Sequence, residues 1–129
     1  MSEMADKLRV MPDFRSTTRA TTAQIEQAEA ALGLRFADEY RAYLAACGVA
    51  TAGGHEFTGI CASPRLNVVR VTVDEKHINP TALADWYVVE QLNIDDIVIW
   101  QAGTGEVYQT APGREPMRLC GSLGEYLAR

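Results

Sequence analysis

Two pairs of adjacent carboxylates, Asp74-Glu75 and Asp95-Asp96, come nearest to the spacing of a chemical site in this sequence. Two carboxylates held close together push their pKa values apart, so a pair could supply a general acid and a general base, or bind a cation. Adjacent residues of a strand point to opposite faces, however, and such a pair would not converge. The spacing therefore favours solvated turns over a catalytic or cation-binding pair.

The histidines, serines and glycines also lack the spacing of a known kind of site. His55 and His77 have no nitrogen or sulfur ligand three or four residues away, which a helical metal motif needs. No serine stands in a G-x-S-x-G elbow, and Ser122 is better explained as a helix cap. The Gly53-Gly54 and Gly103-Thr104-Gly105 segments lack the Lys-Ser/Thr ending of a phosphate-binding loop and predict turns. We therefore expect no enzyme activity, no metal and no cofactor.

Charge and cysteine usage narrow the class of protein further. The chain has 17 acidic and 12 basic residues and a formal net charge of −5, which disfavours nucleic acid as a partner. Its three cysteines, Cys47, Cys61 and Cys120, form no C-x-x-C pair and predict reduced thiols. No apolar stretch is long enough to span a membrane, and the first residues are charged where a signal peptide would be apolar. These features predict a cytoplasmic protein that does not enter a membrane.

The first half of the chain predicts two helices. Residues 1–20 show no sustained period and predict an N-terminal arm or a short first element. Thr21 and Gln24 then have the spacing of a capping box, and an apolar face follows until Gly33. A second helix is predicted to begin near Asp38 and to end at Gly48. Its buried stripe is predicted to consist of Tyr40, Tyr43, Leu44 and Cys47.

The second half predicts mainly strands. After a turn over residues 49–54, strands are expected at residues 55–60, 86–89, 97–100 and 107–110, the last two joined as a hairpin. Residues 66–73 fit a strand by propensity and a helix by the spacing of Leu66, Val69 and Val73. Ser122 and Glu125 predict the cap of a terminal helix. The order of elements predicts an α+β fold, with helices packed on a mainly antiparallel sheet of about four to six strands and residues 21–129 as one domain.

Acidic and aromatic residues in the predicted loops and strand ends form a candidate binding surface for a protein partner. The acids could lie on one face, although they could equally serve only to keep a small protein soluble. The tryptophans favour core positions, but a Trp beside acids is also typical of interfaces. The candidate partner-binding residues are Asp74, Glu75, Asp85, Trp86, Tyr87, Glu90, Asp95, Asp96, Trp100 and Glu106.

The order of residues across the chain resembles that of the SUKH superfamily, whose founding members include a yeast regulator of cell-wall synthesis. The motif of the opening helices reads Ile25-Glu26-x-x-Glu29-x-x-Leu32-Gly33-x-x-Phe36-x-x-Glu39-Tyr40-x-x-Tyr43-Leu44, followed by Gly48, Gly54, Phe57 and Gly59. Later similarities are Val69 with Thr72, Gly105-x-Val107-Tyr108 and Ser122-Leu123-x-x-Tyr126-Leu127. The resemblance implies a SUKH-like α+β fold and a helix over residues 66–76. Because binding residues vary with the partner in such families, it assigns none here.

In bacteria, the resemblance implies frequent service as an immunity protein that binds and silences a toxin, often a nuclease. A nuclease must attract phosphate with a basic cleft, and an acidic protein can occupy that cleft. We therefore expect a basic toxin domain as the partner. A regulatory or scaffold protein of another pathway is the alternative, and an enzyme is the least favoured class.

Overall fold

The computed structural model describes residues 3–129, which contain helices and strands in an α+β arrangement. The helices are α1 (Glu3–Arg9), α2 (Thr22–Leu32), α3 (Asp38–Cys47), α4 (Val68–Ile78) and α5 (Leu123–Leu127). The strands are β1 (Arg15–Ser16), β2 (Ala50–Ala52), β3 (His55–Glu56), β4 (Tyr87–Gln91), β5 (Val98–Gln101), β6 (Val107–Thr110) and β7 (Met117–Cys120).

The strands form two antiparallel sheets. The larger sheet has the order β4-β5-β6-β7, so each strand pairs with its neighbour in sequence. The smaller sheet has the order β1-β2-β3, and a bridge between Phe57 and Glu90 connects its end to the larger sheet. The α+β prediction is confirmed, and the larger sheet has a size within the predicted range. The short strands β1, β2 and β7 were not predicted, because they are too short or too polar to show a strand period.

The predicted helix caps are confirmed. Thr21 Oγ1 accepts a hydrogen bond from the Gln24 N–H at 3.1 Å, and Gln24 Oε1 accepts one from the Thr21 N–H at 2.9 Å. Gly33 ends α2 with a left-handed φ of 65°. Ser122 Oγ accepts from the Glu125 N–H at 3.1 Å and begins α5. Local side-chain chemistry alone sets these boundaries, which is why the sequence could predict them.

Propensity and spacing disagreed for residues 66–73; helix α4 begins at Val68, so residues 68–73 are helical and residues 66 and 67 precede the helix. The Asn67 side chain caps it by accepting hydrogen bonds from the Val69 N–H at 3.0 Å and the Arg70 N–H at 3.3 Å. Val68, Val71 and Thr72 are buried. Thr72 Oγ1 also accepts a hydrogen bond from the Val88 N–H at 3.0 Å. The Asn67 cap and this contact with β4 together stabilise a helix in a segment whose β-branched residues favour a strand.

Helix α1 packs into the interior. Met4, Ala5 and Leu8 are completely buried, and α1 contacts both α3 and α5. Lys7 Nζ donates a hydrogen bond to the Gly124 carbonyl at 3.2 Å. The first and last helices of the chain therefore lie side by side.

The core has two parts, one on each side of the larger sheet. The larger part joins α1, α2, α3, α5 and the first turn of α4 to one sheet face and includes an aromatic cluster of Phe36, Tyr40, Tyr43, Phe57 and Tyr87. The smaller part joins α4 to the other face through Val71, Trp86, Val88, Val98 and Trp100. Both faces are covered, so most of the side chains of β4 and β5 are buried.

Candidate partner-binding surface

Strand register separates the predicted acidic residues into two groups. Gln91 pairs with Val98, so the connection carrying Asp95 and Asp96 lies at one end of the β4-β5 hairpin. Gln101 pairs with both Tyr87 and Val107, which places Asp85 and Glu106 at the other end. Strands of four residues extend over about 10 Å between their outermost Cα atoms. The acids therefore do not form the single continuous face that was considered from the sequence.

The first group combines the end of α4 with the connection between β4 and β5. Gln91 Nε2 donates a hydrogen bond to Glu75 Oε2 at 2.5 Å, which fixes the helix against the end of β4. Ile78 is 69% exposed and Ile94 is 60% exposed. We call this region the α4–loop surface; it consists of Asp74, Glu75, Ile78, Ile94, Asp95 and Asp96.

Asp74 and Glu75 lie in the second half of helix α4, not in the solvated turn that was favoured from the sequence. The same helix carries the buried Val68, Val71 and Thr72. Because successive helical residues are about 100° apart around the axis, Glu75 lies on the side of these buried residues and is half-buried, whereas Asp74 lies off that side and is exposed. The pair also differs in its contacts, because Asp74 accepts a hydrogen bond from Arg70 Nε at 3.1 Å and Glu75 forms no ion pair within residues 3–129.

The connection over residues 92–97 has an unusual backbone. Asn93, Asp95 and Asp96 have φ values of 58°, 53° and 53°, in the left-handed region. Asn and Asp tolerate this region better than other residues with a Cβ, but it still costs free energy relative to an extended backbone. Strained segments of this kind cluster at functional sites. This conformation leaves Ile94 and both aspartates exposed.

The second group has compensating cations. Hydrogen bonds from the Thr104 hydroxyl at 2.8 Å and the Tyr108 hydroxyl at 2.9 Å lower the pKa of Glu106, and nearby Arg118 acts in the same direction. Burial lowers the pKa of Lys76, an effect that the adjacent Asp85 opposes. The charges of Asp85 and Glu106 are thus partly balanced by neighbours, whereas in the α4–loop surface Asp74 pairs with Arg70 and the other three carboxylates form no ion pair within residues 3–129.

Four of the predicted partner-binding residues are interior residues. Trp86 and Glu90 are 3% exposed, and Tyr87 and Trp100 are completely buried. The prediction of surface contact by these four is therefore corrected: a partner that docks on the surface does not reach them. They were misplaced because strand alternation predicts one solvated face, whereas α4 covers the second face of this sheet.

Polar contacts show what these interior residues do. The Trp100 indole N–H donates to Thr110 Oγ1 at 2.8 Å, and the Tyr87 hydroxyl donates to Gln101 Oε1 at 2.7 Å. Trp86 stacks on Tyr108 with ring centroids 4.3 Å apart. Buried polar groups with satisfied partners stabilise one arrangement of the core. These roles are structural.

The sequence did not predict that Ile78 and Ile94 would belong to the surface. Ile78 follows Val71 by seven residues, a spacing that predicts the same buried face, yet its side chain is exposed in the last turn of α4. Ile94 stands between Asn93 and Asp95, and an apolar residue in a polar loop was the only signal available. Exposure of both depends on where the sheet ends, which only the fold decides.

Two kinds of functional element were not found. In the part of the chain from residue 3 onwards, no three His, Cys, Asp or Glu side chains come together as a metal site would require. Within the same residues, no helix is both long enough and apolar enough to cross a membrane.

The family model described as SMI1-KNR4 cell-wall, SUKH_5, matches residues 1–112. The chain belongs to this SUKH family. The match contains all of the α4–loop surface and ends before β7 and α5. A search of curated proteins found no significant match. Membership of the SUKH family supports a role of the immunity or regulatory type and a protein as the partner.

Proposed function

We propose that this SUKH protein is a bacterial immunity protein that binds a cognate toxin through the α4–loop surface and neutralises it without catalysis. The observation that carries the proposal is the position of two exposed isoleucines, Ile78 and Ile94, among four carboxylates at one end of the sheet. Large apolar residues that stay exposed inside a charged rim are typical of protein interfaces. Membership of the SUKH family supports a role of the immunity or regulatory type.

Charge indicates the kind of toxin. The net charge of −5 repels nucleic acids and attracts a basic surface. A nuclease toxin needs such a basic surface to hold its phosphate substrate, so complementary carboxylates would speed its capture. The exposed isoleucines would then limit dissociation, because burial of apolar side chains at the centre of an interface contributes much of the affinity. A basic nuclease domain is therefore the partner that we expect.

A non-catalytic mechanism agrees with the clefts of the molecule. A cleft of about 560 Å³ lies beside β1 and α2, which is a size that small-molecule sites have. Its lining contains Arg19, Gln24 and Cys61 but no histidine or carboxylate. The cleft thus lacks the commonest general acids and bases, and the Cys61 thiol is the only group in its lining that often carries a proton.

The test is growth rescue and binding with a toxin encoded beside the gene of this protein. Wild-type protein should restore growth of cells that express the toxin, and it should form a stoichiometric complex. In the variant Asp95→Asn/Asp96→Asn, the association rate constant should fall by about 3- to 10-fold at low salt, because steering charges are lost. Asparagine is chosen because it tolerates the left-handed backbone at both positions.

The matched control is Asp85→Asn/Glu106→Gln, which removes the same charge at the other end of the sheet. We expect its association rate constant to change by less than about twofold. A larger effect of this control than of the Asp95/Asp96 variant would place the interface elsewhere. Absence of both complex formation and growth rescue with every neighbouring toxin would rule out the immunity function.

A regulatory or scaffold role is the second candidate, and the family description favours it because the description refers to the cell wall. The same surface would then bind a cellular protein. Reproducible recovery of one non-toxin partner whose affinity depends on Ile78 and Ile94 would support this role.

A further inference from the structure

A small crevice lies inside the α4–loop surface. Its volume is about 220 Å³, and it is bounded by the last turns of α4, the connection after β4, and the turn after β6. Ligands of drug size occupy clefts of roughly 300–1,000 Å³. This crevice is therefore suited to one side chain of a partner protein.

The polar lining of the crevice offers mainly hydrogen-bond acceptors. Asn79 Nδ2 donates to the Glu75 carbonyl at 2.9 Å and to Glu75 Oε1 at 3.2 Å, which uses both amide hydrogens. Gln91 Nε2 donates to Glu75 Oε2. Asn79 is only 8% exposed, and neither of these hydrogen bonds uses its Oδ1, which is accessible to solvent. The Asn79 amide oxygen is therefore available to accept a hydrogen bond from a ligand or from water.

Two backbone donors at this end of the sheet are already used. The Leu92 N–H donates to the Ile97 carbonyl and the Ile97 N–H to the Ile94 carbonyl, both at 3.1 Å. The crevice thus combines two carboxylates, Glu75 and Asp96, with the side-chain amides of Asn79, Gln91 and Asn93, so its side chains carry more acceptor oxygens than free N–H donors.

No basic side chain among residues 3–129 forms an ion pair in this crevice. Within the described part of the chain, neither Glu75 nor Asp96 forms an ion pair. The nearby Arg70 pairs with Asp74 at 3.1 Å, and Arg65 pairs with Glu56 at 2.9 Å. A cation for the crevice must therefore come from another molecule.

We infer that the crevice receives one arginine side chain of the partner protein. This inference rests on the proposed function and specifies the partner residue that the surface recognises. The acceptors lie on three elements, so a planar guanidinium with five donors can satisfy more of them than a compact ammonium group. Ile78 and Ile97 in the lining provide apolar contact for the aliphatic part of the side chain.

The test uses small probes in place of the partner. N-acetyl-arginine methylamide, the lysine equivalent and the uncharged citrulline equivalent are titrated into the full-length protein, and the side-chain amide signals of Asn79 and Gln91 are followed by NMR. The arginine probe should give saturable shifts with millimolar affinity. The lysine probe should bind at least about threefold more weakly than the arginine probe, and the citrulline probe should give no saturable shift.

Asp96→Asn should weaken binding of the arginine probe by about fivefold, since one of two carboxylates is neutralised. Its matched control is Asp95→Asn, which changes the neighbouring acid at the same backbone φ outside the crevice and should change the affinity by less than about twofold. Equal shifts with all three probes, a stronger response to lysine, or equal effects of the two variants would each overturn the inference. Since no toxin is present, failure here is distinguishable from failure of the growth-rescue test.

Discussion

At the scale of single residues, the clearest feature is the buried carboxylate of Glu90. His55 Nδ1 lies 3.0 Å from Glu90 Oε1, the Tyr126 hydroxyl donates to Oε1 at 2.7 Å, and the Glu56 N–H donates to Oε2 at 3.1 Å. These contacts connect β3, β4 and α5. Glu90 was expected on a binding surface; instead it holds the two sheets and the last helix together.

The hydrogen bond to Glu90 raises the pKa of His55, against an opposing effect of burial. Protonated His55 therefore stabilises the fold fully below about pH 6.5, the ordinary value, and this contribution is lost as the pH rises through the raised pKa. We expect the free energy of unfolding of the wild type to fall over that interval relative to His55→Gln. Urea unfolding between about pH 6 and pH 8 measures it. The control His77→Gln, which alters an exposed histidine, should retain the wild-type pH dependence of the free energy of unfolding. If His77→Gln lost this pH dependence to the same extent as His55→Gln, the assignment to His55 would be contradicted.

At the scale of elements, glycines allow two segments to pass close to each other where the smaller sheet meets α4. A Cβ on Gly59 would collide with the Gly48 carbonyl oxygen. The Gly59 N–H donates a hydrogen bond to the Leu66 carbonyl, and the Gly59 carbonyl accepts one from the Val68 N–H, both at 2.8 Å. Both glycines belong to the motif that carries the family resemblance. Their role is to permit this approach, which positions the start of α4 and so the α4–loop surface.

Gly59→Ala should lower the free energy of unfolding by more than about 2 kcal/mol, because the backbone of either segment must move. Gly33→Ala is the control: it also belongs to the motif and has a φ of 65°, but a Cβ there would meet nothing within 4 Å. Gly33→Ala should lower the free energy of unfolding by only about 1 kcal/mol, because backbone strain is its sole cost. Chemical denaturation of the two variants compares them directly, and equal losses would show that close approach is not the determining factor.

At the scale of the whole molecule, helix α1 makes residues 3–9 part of the folded body. Leu8 is completely buried, whereas Val10, one residue beyond the helix, is 85% exposed. We propose that the folding unit begins with α1 and not at residue 21. The family match, which begins at residue 1, agrees with this proposal.

Leu8→Ala should destabilise the protein by about 2–5 kcal/mol, as expected for removal of a fully buried leucine side chain. Val10→Ala should change the free energy of unfolding by less than about 0.5 kcal/mol. Thermal and urea unfolding of both variants test the proposal. If Leu8→Ala proved as harmless as Val10→Ala, residues 1–20 would have to be an independent arm.

The sequence by itself determined the features that depend on neighbouring residues. The caps at Thr21 and Ser122, the buried stripe of α3, and the β5-β6 hairpin were all predicted, because hydrogen bonds or periodicity within a few residues specify them. The family motif was also readable, and its buried members, such as Ile25, Phe36 and Tyr40, maintain the fold.

Only the tertiary structure decided which side of each element faces solvent. Helix α4 covers the second face of the larger sheet, and this buries Trp86 and Trp100, which sequence alternation left open as surface residues. Strand register placed Asp95 and Asp96 apart from Glu106, and the end of the sheet exposed Ile78. Burial is a property of contacts between segments distant in sequence, so no local pattern contains it.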